Sequence, residues 1–282
     1  MLLIGGTIPC DVGHVITGKA YYENGNILID KHYLTVSRGT AALVGAAAIT
    51  CSHLGMDPPH VLLAGDIGQK TTGALIYESL QAFLEKTQVH TLTLHYLMPN
   101  IRYHKNLMES IQRLSPQPIL IADAGSMYVA KAAGQAPLYD LFTPDLGELA
   151  FLADDKAAHP AYTRGFICHM EEDVPELIER AYQYKNAARY LFVKGKIDYI
   201  CHEGVILDRI DEPSVDILEA IGGTGDTLTG IACALIYRGM QIQSACVSAA
   251  KANRWAGRLS NPTPASQIRE IIDHIPEALN KV

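Results

Sequence analysis

The chain has 282 residues, of which 48% are apolar and 19% charged, and a formal net charge of −7. This length can bury a large core, and the composition excludes a disordered or fibrous chain. Lys and Arg form no basic run, which argues against nucleic acid as a partner, because binding a phosphate backbone depends on clustered cations.

The opening Met1-Leu2-Leu3-Ile4-Gly5-Gly6 lacks the basic start, the long apolar core and the cleavage site of a secretory signal. No segment reaches the roughly 18 consecutive apolar residues of a membrane span. Cys10, Cys51, Cys168, Cys201, Cys233 and Cys246 are dispersed, with no C-x-x-C spacing. That pattern predicts reduced thiols and a cytoplasmic location, with no membrane partner.

Met1 to Ile4 reads as a short strand ended by Gly5-Gly6. Tyr21-Tyr22 and Ile27-Leu28-Ile29 read as hairpin arms around Glu23-Asn24-Gly25-Asn26. Residues 1–36 are therefore expected to form either a small lid or a sheet extension. Ser37-Arg38-Gly39-Thr40 precedes a small-residue helix through Ala41, Ala42, Val44, Ala47, Ala48 and Ile49. Thr40 is a candidate cap for it, and Arg38 either reaches a ligand or is solvated.

From His60 the chain alternates strand-like and helix-like segments. Val61-Leu62-Leu63-Ala64 closes at Gly65-Asp66-Ile67-Gly68 and precedes a helix with Leu75, Ile76, Leu80, Phe83 and Leu84 inward. Thr91-Leu92-Thr93-Leu94 is the next strand, followed by a helix carrying Leu107, Met108, Ile111 and Leu114. Ile119-Leu120-Ile121-Ala122 then ends at Asp123. Short apolar strands separated by such helices predict an α/β fold, with a mainly parallel sheet covered on both faces. Ligands of these sheets sit at the carboxyl ends of the strands. Asp66, Gly68, Asp123 and Asp145 all fall at such ends, and with Arg38 and Gly39 they are candidates for the substrate side. His90 and His95 flank one strand without a metal-ligand pattern, and ordinary polar or packing roles are expected for them.

Thr143-Pro144-Asp145-Leu146-Gly147-Glu148 opens a short helix, and residues 154–172 have few periodic features. Helix (Val174 to Ala188), strand (Tyr190 to Val193) and a hairpin across His202-Glu203-Gly204 follow. The chain then reaches Gly222-Gly223-Thr224-Gly225-Asp226. After Asp226, the spacing of Leu228, Ile231, Ala232, Leu235 and Ile236 predicts a helix beginning near Gly225. Unpaired N–H groups and the helix dipole make its first turn an anion site, which the glycines allow a phosphate to approach closely. Asp226 reads in isolation as a helix cap. Beside a phosphate cradle it reads instead as the base that takes the proton of an attacking hydroxyl. Two further helices close the chain, one from about Gln243 to Leu259 and one with Ile268, Ile271, Ile272, Ile275 and Leu279 on a single face.

In this order the residues resemble the ribokinase-like superfamily, and the resemblance covers most of the chain from Arg38 onward. Gly223-Thr224-Gly225-Asp226 matches its late glycine-rich anion hole with the catalytic Asp, and the run Thr143 to Glu148 resembles the Thr-Pro-Asn-x-x-Glu segment of vitamin kinases. Phe192-Val193-Lys194-Gly195, Gly222 to Leu235, Ala256-Gly257 and Thr263-Pro264-Ala265-Ser266 look most like the carbohydrate-kinase-like family of nucleotide-dependent NAD(P)H-hydrate dehydratases. That family usually carries Thr-Pro-His-Pro-Gly-Glu where this chain has Asp145 and Leu146, so a role for that histidine is not carried over.

The resemblance implies a single ribokinase-like domain over residues 1–282, ATP or ADP and Mg²⁺ as cofactors, a small-molecule substrate, and a homo-oligomer. It implies that Asp226 is the general base and that Gly222, Gly223, Thr224 and Gly225 form the anion hole. Lys194, Gly195 and Asn253 would contact the nucleotide, and Glu148 would organise Mg²⁺ through water. The bland alternatives are a solvated Lys194 at a strand end and a Glu148 favoured only by the helix dipole. The expected activity is dehydration of NAD(P)H hydrate. The alternatives are phosphorylation of a sugar, nucleoside or vitamin precursor, and a non-catalytic nucleotide-binding relative.

Overall fold

The computed structural model describes residues 1–67, 73–157 and 174–282. Its centre is β1 (Leu2–Ile8), which pairs in parallel with β5 (His60–Gly65) on one side and β6 (Thr91–His95) on the other. The strand does not stop at Gly5-Gly6 as the sequence suggested. A Cβ on Gly6 would lie 2.5 Å from the His95 carbonyl oxygen, so the glycine serves close backbone approach inside a strand rather than a turn.

Beyond β6 the sheet continues in parallel through β7 (Ile119–Asp123), β8 (Leu141–Phe142) and β9 (Tyr190–Val193). Antiparallel strands finish both edges: β10 (Asp198–His202) and β11 (Val205–Ile210) at one, β2 (Val15–Glu23), β3 (Asn26–Ile29) and β4 (His32–Thr35) at the other. The order across the 11-stranded sheet is β11-β10-β9-β8-β7-β6-β1-β5-β2-β3-β4. Of the two expectations for residues 1–36, sheet extension is the one observed. Its β2–β3 turn is Asn24-Gly25, with φ of 50° and 74°, the geometry of a tight two-residue hairpin.

Successive residues of the buried strands feed opposite cores. Leu2, Ile4, Val61 and Leu63 face one; Leu3, Leu62 and Ala64 face the other. The first is covered by α1 (Thr40–His53), α7 (Thr224–Tyr237), α8 (Ile242–Leu259), α9 (Ile268–Ile272) and α10 (Ile275–Leu279). The second is covered by α2 (Gly73–Leu84), α3 (Ile101–Gln112), α4 (Gly125–Ala132), α5 (Leu146–Leu152) and α6 (Val174–Gln183). Helices α1 and α7 nearly touch, since a Cβ on Gly230 would sit 2.3 Å from the Leu43 carbonyl oxygen.

Several local expectations are corrected. Thr40 does not cap α1: the cap is Gly39, and the Thr40 hydroxyl donates instead to the Thr7 carbonyl at 2.6 Å. Leu75 is 37% exposed rather than inward. Helix α4 had no periodic signal strong enough to announce it, and α6 ends at Gln183 rather than Ala188. The closing helix is broken into α9 and α10, because Pro276 lacks an N–H and its ring conflicts with the carbonyl of Ile272. Most of the stretch 154–172, read as aperiodic, lies outside the described residues. Among the described residues, Cys10, Cys51, Cys201, Cys233 and Cys246 are free thiols, and no helix is long and apolar enough to cross a membrane.

Candidate active site

A cleft of about 770 Å³ lies at the carboxyl ends of the parallel strands, lined by Tyr96, Ala124, Glu148, Lys194, the first turn of α7 and Asn253. Strand order reverses here, with β5 and β6 on opposite sides of β1. Crevices at such switch points are where open α/β sheets bind ligands. Backbone strain gathers at the same edge: Tyr96 and Ala124 hold φ of 51° and 52° without being glycines.

Asp226 sits in the first turn of α7, whose cap is Gly223 at φ 107° with no side-chain capping bond. Its carboxylate is therefore not spent on its own helix. Oδ2 accepts the Gly39 amide at 2.7 Å, and Oδ1 faces His95 Nε2 at 3.1 Å. Burial alone would raise the pKa of this carboxyl. The hydrogen bond and charge of His95, then Lys194 and the Gly39 N–H, outweigh burial and hold it below the usual carboxylate range. The side chain is 16% exposed, so the ionised group is sheltered yet reachable from the cleft.

Lys194 is not a solvated strand-end cation. Its side chain is 11% exposed, and Nζ lies 2.8 Å from Asp123 Oδ1. Burial would lower its pKa, but Asp123 and Glu148 hold it above the ordinary lysine range. Asp123 is itself buried: Oδ1 also accepts the Ala124 amide, and Oδ2 accepts the Thr229 hydroxyl at 2.6 Å. With both oxygens engaged inside the protein, Asp123 aims Lys194 rather than presenting a free carboxylate to a substrate. Thr143, at the head of the Thr-Pro-Asp run, joins this network with its hydroxyl 2.9 Å from that of Thr229, whose one proton goes to Asp123 and which therefore accepts from Thr143.

Asp145 and Glu148 form a reciprocal capping box at the start of α5. Asp145 Oδ1 accepts the Glu148 amide, Glu148 Oε2 accepts the Asp145 amide, each at 2.8 Å, and Glu148 Oε1 accepts the Tyr128 hydroxyl at 3.0 Å. Burial first, then the charge of Asp145, push the Glu148 carboxyl up to about 8 against the pull of Lys194. Acidic side chains clustered on one wall of the cleft are the oxygen donors of a hard divalent cation held through water, so these residues fit Mg²⁺. A different trio, His95, Asp123 and Asp226, places ligand atoms within 4.8 Å of one another. There Lys194 already supplies the positive charge that Asp123 faces.

The remaining sequence candidates fall at varied distances from this centre. Gly222 and Gly223 turn against Arg38, whose Cδ would be 3.8 Å from a Cβ on Gly222; the Arg38 side chain is exposed. Asn253 of α8 donates to the Thr224 carbonyl at 3.0 Å and accepts the Thr227 hydroxyl, tying down the turn that begins α7. The Gly195 carbonyl accepts from Arg254, which is paired with buried Asp198 at 2.8 Å and also donates to the carbonyls of Lys196 and Asp211. That knot fixes the turn carrying Lys194. Asp66 follows β5, donates its amide to the Ile8 carbonyl and is not among the residues that line the cleft. Gly68 lies outside the described residues.

Sequence reasoning missed His95, Thr229, Tyr96 and Arg254. For His95 a signal existed: it ends a strand at the register position opposite Asp123, the edge where ligands are expected. The others are recognisable only by what they touch.

Solved structures of similar fold include a ribokinase-like superfamily protein from Enterococcus faecalis, 14% identical, with a TM-score of 0.57, covering 99% of this chain and 86% of that one. Phosphofructokinase-2 from Escherichia coli in complex with potassium is 13% identical, with a TM-score of 0.57, covering 99% and 100%. Pyridoxal kinase from Staphylococcus aureus in complex with AMP-PCP and pyridoxal is 12% identical, with a TM-score of 0.52, covering 90% and 86%. The class is thus defined: this is a ribokinase-like α/β fold, its sheet mostly parallel in the middle with helices around it.

No family model matches the chain. The chain is 42% identical over 238 residues, 84% of its length, to Uncharacterized protein MJ1337 of Methanocaldococcus jannaschii, of which it covers 98%, and it belongs to the same family as that protein. A shorter match, 32% identical over 115 residues, joins 39% of the chain to 21% of the Bifunctional NAD(P)H-hydrate repair enzyme Nnr of Hyperthermus butylicus.

Proposed function

We propose that the protein is a nucleotide-dependent NAD(P)H-hydrate dehydratase-like enzyme acting on a small-molecule alcohol with ATP or ADP and Mg²⁺. The observation that carries this reading is Asp226 at the N-terminus of α7, its carboxyl accepting the Gly39 amide and facing His95, with Lys194 beside the same turn. A binding site alone has little use for a carboxylate next to phosphate, where like charges repel. The partial match to the hydrate repair enzyme supports the choice of acceptor.

The nucleotide, when bound, supplies the terminal phosphoryl group, with Mg²⁺ neutralising its charge. Asp226 takes the proton of the acceptor hydroxyl as that oxygen bonds to the terminal phosphorus. The bond from phosphorus to the rest of the nucleotide breaks, and the leaving group keeps the electron pair. Amides of Gly223, Thr224 and Gly225, together with Lys194, stabilise the charge on the transferred group. Glu148 and Asp145 would hold the cation through water. For a hydrated dihydronicotinamide the new phosphate ester then loses phosphate and a proton, restoring the ring double bond.

The same apparatus makes a kinase if the phosphorylated alcohol is stable, and the kinase structures of similar fold favour that as the second reading. The test is to give the purified protein NADH hydrate, Mg²⁺ and either ATP or ADP, and to follow the reduced-nicotinamide absorbance. Nucleotide-dependent recovery, abolished in Asp226→Asn, is the expected result. No recovery from protein that binds nucleotide would move the assignment to a kinase, whose acceptor is then sought by screening alcohols.

A further inference from the structure

His95 is wholly buried behind Asp226 and takes no part in the mechanism above. Its protonation state can be read from its partners. The Thr40 hydroxyl lies 2.6 Å from the Thr7 carbonyl oxygen and 2.8 Å from His95 Nδ1. A carbonyl oxygen only accepts, so the single hydroxyl proton is committed to Thr7. Thr40 therefore offers a lone pair to His95, and Nδ1 carries a proton.

The other ring nitrogen, Nε2, faces Asp226 Oδ1 at 3.1 Å and Asp123 Oδ2 at 3.9 Å. One further proton belongs to this contact, on Nε2 or on Asp226. An imidazole is far more basic than a carboxylate in its ordinary state, two carboxylates face Nε2, and Oδ2 of Asp226 already accepts the Gly39 amide. These facts put the proton on the ring. Also beside the imidazole are the Tyr96 ring, edge-on at 4.5 Å between centroids, and Lys194 beyond Asp123.

We propose that His95, as an imidazolium, is the positioning residue that keeps Asp226 ionised and aimed into the cleft. Strand β6 brings the Nε2–H to one carboxylate oxygen and the cap of α1 brings the Gly39 N–H to the other. The carboxylate is held by two donors from two elements, so its orientation is fixed before any ligand arrives. The kinetic consequence rests on the role proposed for Asp226; the protonation state does not.

Long-range ¹H–¹⁵N spectra of the full chain labelled at histidine test the state directly, with His95→Gln used to assign the ring. Both His95 nitrogens protonated at neutral pH is the expected result, and a bare Nε2 in the wild-type chain overturns the proposal whatever the kinetics. For the role, His95→Leu should lower kcat by roughly 10- to 100-fold, the worth of a charge-assisted hydrogen bond, with the Kd for ATP or ADP unchanged. His95→Gln, whose amide can still donate to Asp226, should recover part of that loss. Equal kcat in wild type and His95→Leu, or no difference between the Leu and Gln variants, overturns the role. If the wild-type chain turns over no NADH hydrate, the functional assignment fails while the spectra still decide the protonation state. They also decide it if His95→Leu does not fold.

Discussion

The Gly39 amide donates to Asp226 Oδ2 across 2.7 Å, joining residues 187 positions apart in the chain. The entrance of α1 thereby aims the carboxylate that begins α7, and packing of the two helices keeps both ends of the bond in place. Gly39 holds φ 64° and ψ −145°, close to a region that only glycine occupies readily. Gly39→Ala should cost about 1–3 kcal/mol of stability. By displacing the donor it should also lower kcat by up to roughly 100-fold. Urea unfolding beside kcat and nucleotide Kd checks this; a variant with wild-type stability and kcat would refute it.

Asp226→Asn keeps the size of the side chain but cannot take a proton, and its amide oxygen can accept from only one of the two donors, Gly39 and His95. Turnover should fall by roughly 10²- to 10⁴-fold while the fold and nucleotide binding persist. Steady-state kinetics and calorimetric nucleotide titration separate these effects, and undiminished turnover would remove Asp226 from the role of base.

Lys194→Met should weaken nucleotide binding and leave Asp123, 1% exposed, as a buried charge without its nearest cation. The expected stability loss is about 3–5 kcal/mol. Adding Asp123→Asn to that variant should restore part of the stability but none of the nucleotide affinity. Urea melts of the two variants decide the matter: if the second change gives back nothing, the Lys194–Asp123 pair does not account for the loss.

Glu148 sets a pH dependence. Unfolded, its carboxyl titrates near its ordinary 4.5; folded, burial and then Asp145 push it up to about 8. Between those values the folded chain holds a proton the unfolded chain has lost, so stability falls as pH rises through the window, and the penalty is complete above about 8. Glu148→Gln retains an acceptor for the Asp145 amide and should remove this part of the decline. Unfolding free energies of both proteins across the window test it, and identical slopes would count against a raised Glu148 pKa.

Apolar runs with no alternation announced the buried parallel strands, and helical spacing announced most of the helices over them. Where the sequence misled, a through-space contact had taken over from local preference. Gly5 and Gly6 looked like a turn because nothing in the chain reveals that β6 passes so near. Thr40 looked like a cap because its real partners, Thr7 and His95, are distant in sequence.

The site divides in the same way. The anion hole and Asp226 were legible because glycines, a helix start and an acid occur within a few consecutive residues, and their physics is local. The pairing of Lys194 with Asp123, the Arg254 knot under Gly195, and the two donors on Asp226 were not legible, because each joins separate elements. Amino-acid order alone determined which short segments could fold and where a phosphate could be cradled. Only the tertiary structure decided which charges face one another, since burial and a few ångströms of separation set those energies, and neither is a property of neighbouring residues in the chain.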